Sequence, residues 1–121
     1  MNPLVWAAVL VAGGIGAVLR FLLDDSVSRR ASGAFPLGTL LVNLSGAFLL
    51  GLVLGLGVPR EVTLVLGTGV LGSYTTFSTW MFETQRLVEE WQSRRALVNL
   101  GVSVVAGVAS AALGLWIGGR L

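Results

Sequence analysis

The residues best suited to do chemistry in this 121-residue chain are a run of hydroxyl side chains at positions 73–79, which read Ser-Tyr-Thr-Thr-Phe-Ser-Thr. Gly67, Gly69 and Gly72 precede the run. Glycines, β-branched threonines and hydroxyls that compete for backbone hydrogen bonds all weaken a regular helix. The segment therefore predicts a non-helical turn whose carbonyl and amide groups can bind an ion. A Ser/Thr-rich kink with a purely structural use is the alternative.

Two further groups of neutral polar side chains lie within apolar sequence. Thr39 and Asn43 are four residues apart and share one helical face. Asn99, Ser103 and Ser110 form a similar stripe in a later apolar stretch. An amide such as that of Asn43 either makes an interhelical hydrogen bond or donates to a solute that passes along the helices. The residue alone leaves both interpretations open.

Two aromatic residues follow the hydroxyl run on a common helical face. Phe77 and Trp80 are three residues apart, and an aromatic ring has an electropositive edge that can meet an anion, to which Trp adds an N–H. Packing or interface anchoring is the commoner role of membrane aromatics. Because Glu83 lies only at the edge of the apolar sequence, this lining suits a small anion or a neutral solute better than a cation.

The distribution of charge indicates which elements hold these residues. Four stretches at positions 3–23, 31–59, 62–82 and 96–119 contain a single charge, that of Arg20. A helix needs about 20 apolar residues to cross a bilayer, and backbone in lipid must satisfy its own hydrogen bonds. The sequence predicts an all-α integral membrane protein, one domain over residues 1–121 with four transmembrane helices at about 3–24, 36–58, 62–91 and 96–118. The third helix is expected to be broken near Gly72 to Thr76.

Composition excludes several functional classes. Hydrophobic residues make up 55% of the chain and charged residues 12%, and mean hydropathy is +0.86, whereas soluble domains carry about 25% charged residues. The chain has no His, Cys or Lys, so it lacks thiolates, imidazoles and Cys/His metal sites, and we expect no enzyme. A net charge of +2 without long basic runs predicts no nucleic-acid binding. The first apolar stretch is too long for a signal peptide, so we expect a multi-pass protein of the plasma membrane.

Glycine spacing predicts close helix packing. Gly51 and Gly55 are four residues apart, as are Gly114 and Gly118, and small residues at this spacing let helix backbones approach in lipid. A solute pathway forms more readily between two copies of so small a bundle, so we expect a dimer. The loop arginines divide four against two between the two sides. This favours termini outside, but so small a bias is also typical of a chain that inserts in both orientations.

Three pieces of the sequence, in order and covering most of the chain, are similar to the Fluc (CrcB) fluoride-channel family. The first is Gly-Gly-Ile-Gly-Ala at 13–17 with Arg20. The second is Phe-Pro-Leu-Gly-Thr-Leu at 35–40, which runs into Val-Asn-Leu-Ser-Gly at 42–46. The third is Gly-Val-Leu-Gly-Ser-Tyr-Thr-Thr-Phe-Ser-Thr at 69–79, followed by Glu83.

The resemblance implies a passive, fluoride-selective channel that exports cytoplasmic fluoride through two pores in an antiparallel, dual-topology homodimer. It implies a structural sodium ion at the dimer centre, held by the backbone carbonyls of Gly72 and Thr75 from both subunits. It places Arg20 in a vestibule. The fluoride pathway that it implies contains Asn43, Phe77, Trp80, Ser103, Ser78, Thr79, Thr39 and Glu83.

Two positions depart from the family pattern. Trp80 stands where the family has a second phenylalanine, and Asn99 where it often has a tyrosine. Trp80 can offer either a ring edge or its N–H to an ion. These departures also leave open a heterodimer with a paired homologue that supplies the missing aromatics.

Two other functions compete with the channel. A small multidrug-type transporter is also short and four-helical, but it depends on an acidic residue inside its first helix, and positions 3–23 contain none. A non-transporting assembly or regulatory subunit would account for the glycine packing. It would not account for the hydroxyl-rich break.

Overall fold

The computed structural model describes residues 2–30, 36–76 and 78–121, without the side chains at positions 78, 79 and 82. Over these residues its regular structure is helical throughout. The long helices are α1 (Pro3–Arg30), α2 (Leu37–Leu56), α5 (Ser78–Glu89) and α6 (Ser93–Arg120). Between α2 and α5 lie a short α3 (Arg60–Thr63), a π-helical segment (Leu64–Leu71) and a short α4 (Gly72–Tyr74).

Three of these helices, α1, α2 and α6, are long and apolar enough to cross a membrane. Their outward faces carry large apolar side chains such as Leu10, Phe21 and Val105, each about 70% exposed. A surface so rich in exposed apolar groups suits lipid rather than water. The prediction of an all-α membrane protein is therefore confirmed.

The region between α2 and α6 consists of two half-length helical pieces. Its first piece joins segments of 4, 8 and 3 residues, which together rise about 20 Å, and α5 has 12 residues, which rise about 18 Å. Neither piece alone crosses a hydrocarbon core of about 30 Å. The two together have the length of one span that is interrupted near its middle.

Paired glycines bring α2 and α6 into backbone contact. A methyl group at Gly51 would overlap the Ala111 carbonyl oxygen, and one at Gly114 would overlap the Phe48 carbonyl oxygen. Gly55 and Gly118 meet in the same way one turn further along. The two small-residue stripes thus face each other, which is how small residues let helices associate closely in lipid.

The π-helical segment packs against α1 through small residues. A Cβ at Gly69 would lie 2.9 Å from the Cβ of Ala12, and a Cβ at Gly16 would overlap the Val70 backbone. The Gly72 N–H donates to the Gly67 carbonyl five residues earlier, which is the hydrogen bond that defines a π-turn. Such turns are rare and mostly occur beside functional sites.

Helix ends differ in places from the apolar stretches. α1 continues beyond its apolar part to Arg30, where an ion pair between Arg29 and Asp25 spans 3.1 Å across one turn. The helical piece before the interruption continues to Tyr74, and Thr75 is the first residue with extended backbone angles. Gly72 keeps ordinary right-handed helical angles.

Candidate functional site

The interruption is held by the side chain of Asn43 on α2. Thr75, which follows α4, has extended backbone angles. The Asn43 Nδ2 donates to the Thr76 carbonyl at 2.9 Å, and the Thr76 N–H donates to the Asn43 Oδ1 at 2.8 Å. The amide therefore pairs with both polar groups of the Thr76 main chain, and backbone in hydrocarbon must have its polar groups satisfied within the protein.

This pairing draws the Thr76 N–H away from the carbonyl group one turn earlier. In a continuous helix the Thr76 N–H would donate to the Gly72 carbonyl, but here it donates to Asn43. Gly72 is also exposed on the surface of the single chain. Because a carbonyl oxygen is a suitable ligand for a hard cation, the backbone here could hold one. No cluster of acidic side chains that could do so exists among the described residues.

A groove of about 250 Å³ lies on one side of the interruption, lined by Asn43, Thr75, Thr76 and Trp80. Its wall is made of neutral amide, hydroxyl, peptide and aromatic groups. Asn43 Nδ2 carries two hydrogens, and Thr76 takes one of them. The second makes no further hydrogen bond to any residue that the structure describes, so it is able to face a solute.

A second cavity, of about 230 Å³, also has Thr76 in its lining. Its lining residues are Arg20, Phe21, Asp24, Thr39, Val42 and Thr76. The buried Thr39 hydroxyl donates to the Glu83 carboxylate, so α2 and α5 are joined at this cavity. Thr76 is the residue that the two spaces share.

On α6, Ser103 and Asn99 face the interior of the bundle. The Ser103 hydroxyl is buried and has no hydrogen-bond partner among the described residues. Asn99 is 1% exposed, and its Nδ2 donates to the Thr84 hydroxyl at 2.8 Å. A buried hydroxyl without a partner costs free energy.

The structure does not place several of the predicted residues at the two cavities. Phe77 lies outside the described residues. Ser78 and Thr79 begin α5, but their side chains are not described. Ser103 lines neither of the two cavities that meet at Thr76.

Sequence reasoning missed three members of this neighbourhood. Thr76 was only part of the hydroxyl run, although its peptide group is the centre of the site. Asp24 lines the cavity beside Arg20. Thr84 stands four residues after Trp80, so the spacing alone placed its hydroxyl within reach of the Trp80 carbonyl.

Comparison with known proteins gives a consistent result. Residues 7–115 match the family described as CrcB-like protein, Camphor Resistance (CrcB). A protein of Mycobacterium tuberculosis named fluoride-specific ion channel FluC 2 is 58% identical over 113 residues, which are 93% of this chain and 90% of that protein.

Two further relatives carry similar names. The fluoride-specific ion channel FluC 2 of Mycolicibacterium paratuberculosis is 61% identical over 110 residues, covering 91% of this chain and 90% of the relative. The fluoride-specific ion channel FluC 1 of Leifsonia xyli is 48% identical over 123 residues, covering 98% and 90%.

Proposed function

This chain belongs to the CrcB-like family, and we propose that it is a fluoride-selective passive channel that exports cytoplasmic fluoride across a bacterial plasma membrane. The relatives are named as fluoride channels. The chain is a multi-pass membrane protein and not an enzyme. A negative cell interior drives an anion outward without any coupled reaction.

The observation that carries the proposal is the neutral wall at the interrupted span. Asn43, Thr76 and Trp80 line the groove with an amide, a peptide group and an aromatic ring. A small anion must exchange its hydration shell for such donors and yet be held loosely enough to leave. A wall of arginines would hold it too tightly.

The proposed pathway enters beside Arg20, whose positive charge attracts an anion towards the cavity. It continues past Thr39, which donates its hydroxyl to Glu83, and past Thr76 into the groove with Asn43 and Trp80. The remaining proposed members are Phe77, Ser78, Thr79 and Ser103. The buried hydroxyl of Ser103, which has no hydrogen-bond partner in the part of the chain that the structure describes, supports its inclusion.

We further propose that two copies assemble antiparallel, in dual topology, and that a structural sodium ion lies between them. The exposed Gly72, whose carbonyl does not receive the Thr76 N–H, supports this arrangement. In the proposed site the carbonyls of Gly72 and Thr75 from both subunits hold the ion. Their neutral oxygen donors fit a hard monovalent cation. A homodimer satisfies the proposal, and a heterodimer with a paired homologue is the other assembly.

Ion efflux from liposomes tests the function. Vesicles that contain the purified protein are loaded with potassium fluoride or potassium chloride, and valinomycin removes the electrical limit on anion flux. A fluoride electrode should record rapid fluoride efflux, and a chloride electrode none above that of protein-free vesicles. Equal permeability to both ions, or no fluoride flux, would reject the proposed function.

A further inference from the structure

A closed set of hydrogen bonds joins Trp80 on α5 to Asn99 on α6. The Thr84 hydroxyl donates to the Trp80 carbonyl at 2.8 Å, and the Asn99 Nδ2 donates to the Thr84 hydroxyl at 2.8 Å. The Trp80 indole Nε1–H donates to the Asn99 carbonyl at 3.4 Å. The main chain and the side chain of Trp80 are thus both tied to one residue of α6.

This set of bonds lies in the interior. Asn99 is 1% exposed and Thr84 is 7% exposed, so water does not compete for their hydrogen bonds. A buried polar network in which each member has a partner rigidifies its surroundings, and the loss of one member leaves the others unpaired at a cost. Thr84 and Asn99 are therefore held in fixed positions, and their hydrogen bonds restrain Trp80.

These hydrogen bonds determine which part of Trp80 faces the groove that it lines together with Asn43, Thr75 and Thr76. Because the indole N–H is already donated to Asn99, the proton is directed at α6. The group left for an anion in the groove is the electropositive carbon edge of the ring. The interaction of Trp80 with an ion then resembles that of a plain aromatic ring.

We propose that Thr84 and Asn99 are positioning residues that fix the Trp80 indole so that its ring edge, and not its N–H, lines the ion pathway. The inference rests on the proposed channel function for its effect on flux. Its geometric part, the fixed indole, stands apart from that function. The two parts are therefore measured separately.

The test uses the full-length protein with Trp6, Trp91 and Trp116 replaced by Phe, so that Trp80 is the only tryptophan and is excited selectively. These three side chains are more than half exposed. Thr84→Val removes the hydroxyl while keeping the shape, and Thr84→Ser is the matched control that keeps it. We expect Thr84→Val to shift the Trp80 emission to the red, lower its anisotropy and reduce fluoride efflux about tenfold.

Thr84→Ser should restore both the emission and the efflux. Unchanged emission in Thr84→Val would overturn the proposal, whatever happens to the flux. Changed emission with full efflux would overturn the part that concerns the ion. If the parent protein passes no fluoride, the channel function fails while the emission still reports whether the indole is fixed.

A second measurement does not require Thr84→Val to fold. The indole ¹⁵N–¹H resonance of Trp80 in the single-tryptophan protein is followed by NMR. We expect slow exchange with solvent and no movement of the resonance when fluoride is added. Fast exchange, or a fluoride-dependent shift, would show that the proton faces the groove and would overturn the proposal.

Discussion

The Asn43 side chain takes the place of a peptide group at the point where the segment between α2 and α6 stops being helical. It donates to and accepts from the backbone of Thr76 at ordinary hydrogen-bond lengths. The Asn43 amide thereby pairs with the main chain at the interruption, and the same residue lines the groove. Few other side chains have both a donor and an acceptor in this geometry.

Asn43→Asp should therefore abolish conduction. The carboxylate still accepts from the Thr76 N–H, but it cannot donate to the Thr76 carbonyl, and it adds negative charge to the groove. We expect fluoride efflux to fall at least about tenfold, since a lost charge-bearing or buried hydrogen bond costs about 1–3 kcal/mol. Liposome efflux measures the effect.

The matched control is Asn2→Asp. Asn2 accepts a hydrogen bond from the Leu4 N–H through Oδ1 at 2.7 Å on an exposed surface, and Asp keeps that acceptor. The control should conduct like the parent. Full conduction by Asn43→Asp would show that Asn43 does not meet the ion.

The sequence identifies the polar residues of the site, but it does not identify their hydrogen-bond partners. A common face for Thr39 and Asn43 follows from their spacing, but Thr39 bonds to Glu83 and Asn43 to Thr76. Those partners are 44 and 33 positions away, so they depend on how the helices pack. Local periodicity carries no information about packing over such separations.

At the scale of elements, the helices depart from ideal geometry at their ends and where two helix backbones are in close contact. α5 ends in a Schellman turn, in which the Gln92 N–H donates to the Leu87 carbonyl and the Trp91 N–H to the Val88 carbonyl. Trp91 occupies the left-handed position at φ 61°, where glycine is usual. Its side chain is 95% exposed.

Trp91→Gly should stabilise the folded protein in detergent. Glycine adopts the left-handed conformation freely, whereas other L-residues pay about 1–2 kcal/mol there, and the exposed indole has little packing to lose. Trp91→Ala, which keeps the backbone cost, is the control and should give no gain. Thermal unfolding measures both, and equal stabilities for the two variants would contradict the account.

The close contact between the glycines of α2 and α6 predicts that a larger residue there lowers the stability of the protein. Gly51→Ala places a methyl group against the Ala111 carbonyl, and such overpacking costs about 1–3 kcal/mol. Gly14→Ala is the control, because a Cβ at Gly14 meets nothing within 4 Å. Thermal unfolding in detergent should separate the two variants, and equal melting temperatures would refute the contact.

The sequence predicts the long apolar helices but not the π-helical segment, and the difference has a physical reason. Apolar length alone marks α1, α2 and α6, because hydrocarbon thickness sets a minimum length. The π-helical segment at Leu64–Leu71 was not predicted, since its wide turns arise from packing of Gly69 against Ala12 and of Val70 against Gly16. Those contacts lie between elements and leave no periodic trace in the sequence.

For the whole molecule, the distribution of exposed groups bears on assembly. Apolar side chains cover its outward faces, and Gly72, beside the interruption, is exposed in the single chain. An exposed peptide group at membrane depth must be covered by protein or ions. The proposed antiparallel dimer with a central sodium ion covers it.

Removal of sodium should therefore weaken the assembly. Exchange of sodium for N-methyl-D-glucamine at constant ionic strength is expected to lower the free energy of unfolding by on the order of 2–3 kcal/mol, if sodium was present at about a hundredfold its dissociation constant. Thermal unfolding and cross-linking of the dimer measure the change. Identical stability and cross-linking in both salts would argue against a bound cation.

The two hydrogen bonds between Asn43 and Thr76 also bear on how the protein is made. They join positions 33 residues apart, and α2 leaves the ribosome before the interrupted span does. When Thr76 enters the bilayer, the amide that pairs with its peptide group is already there. In the reverse order of synthesis Thr76 would reach the bilayer before the Asn43 amide, whereas polar backbone groups in hydrocarbon must be satisfied within the protein. The order of the helices along the chain thus suits stepwise insertion, because the least regular segment follows the helix that carries its partner.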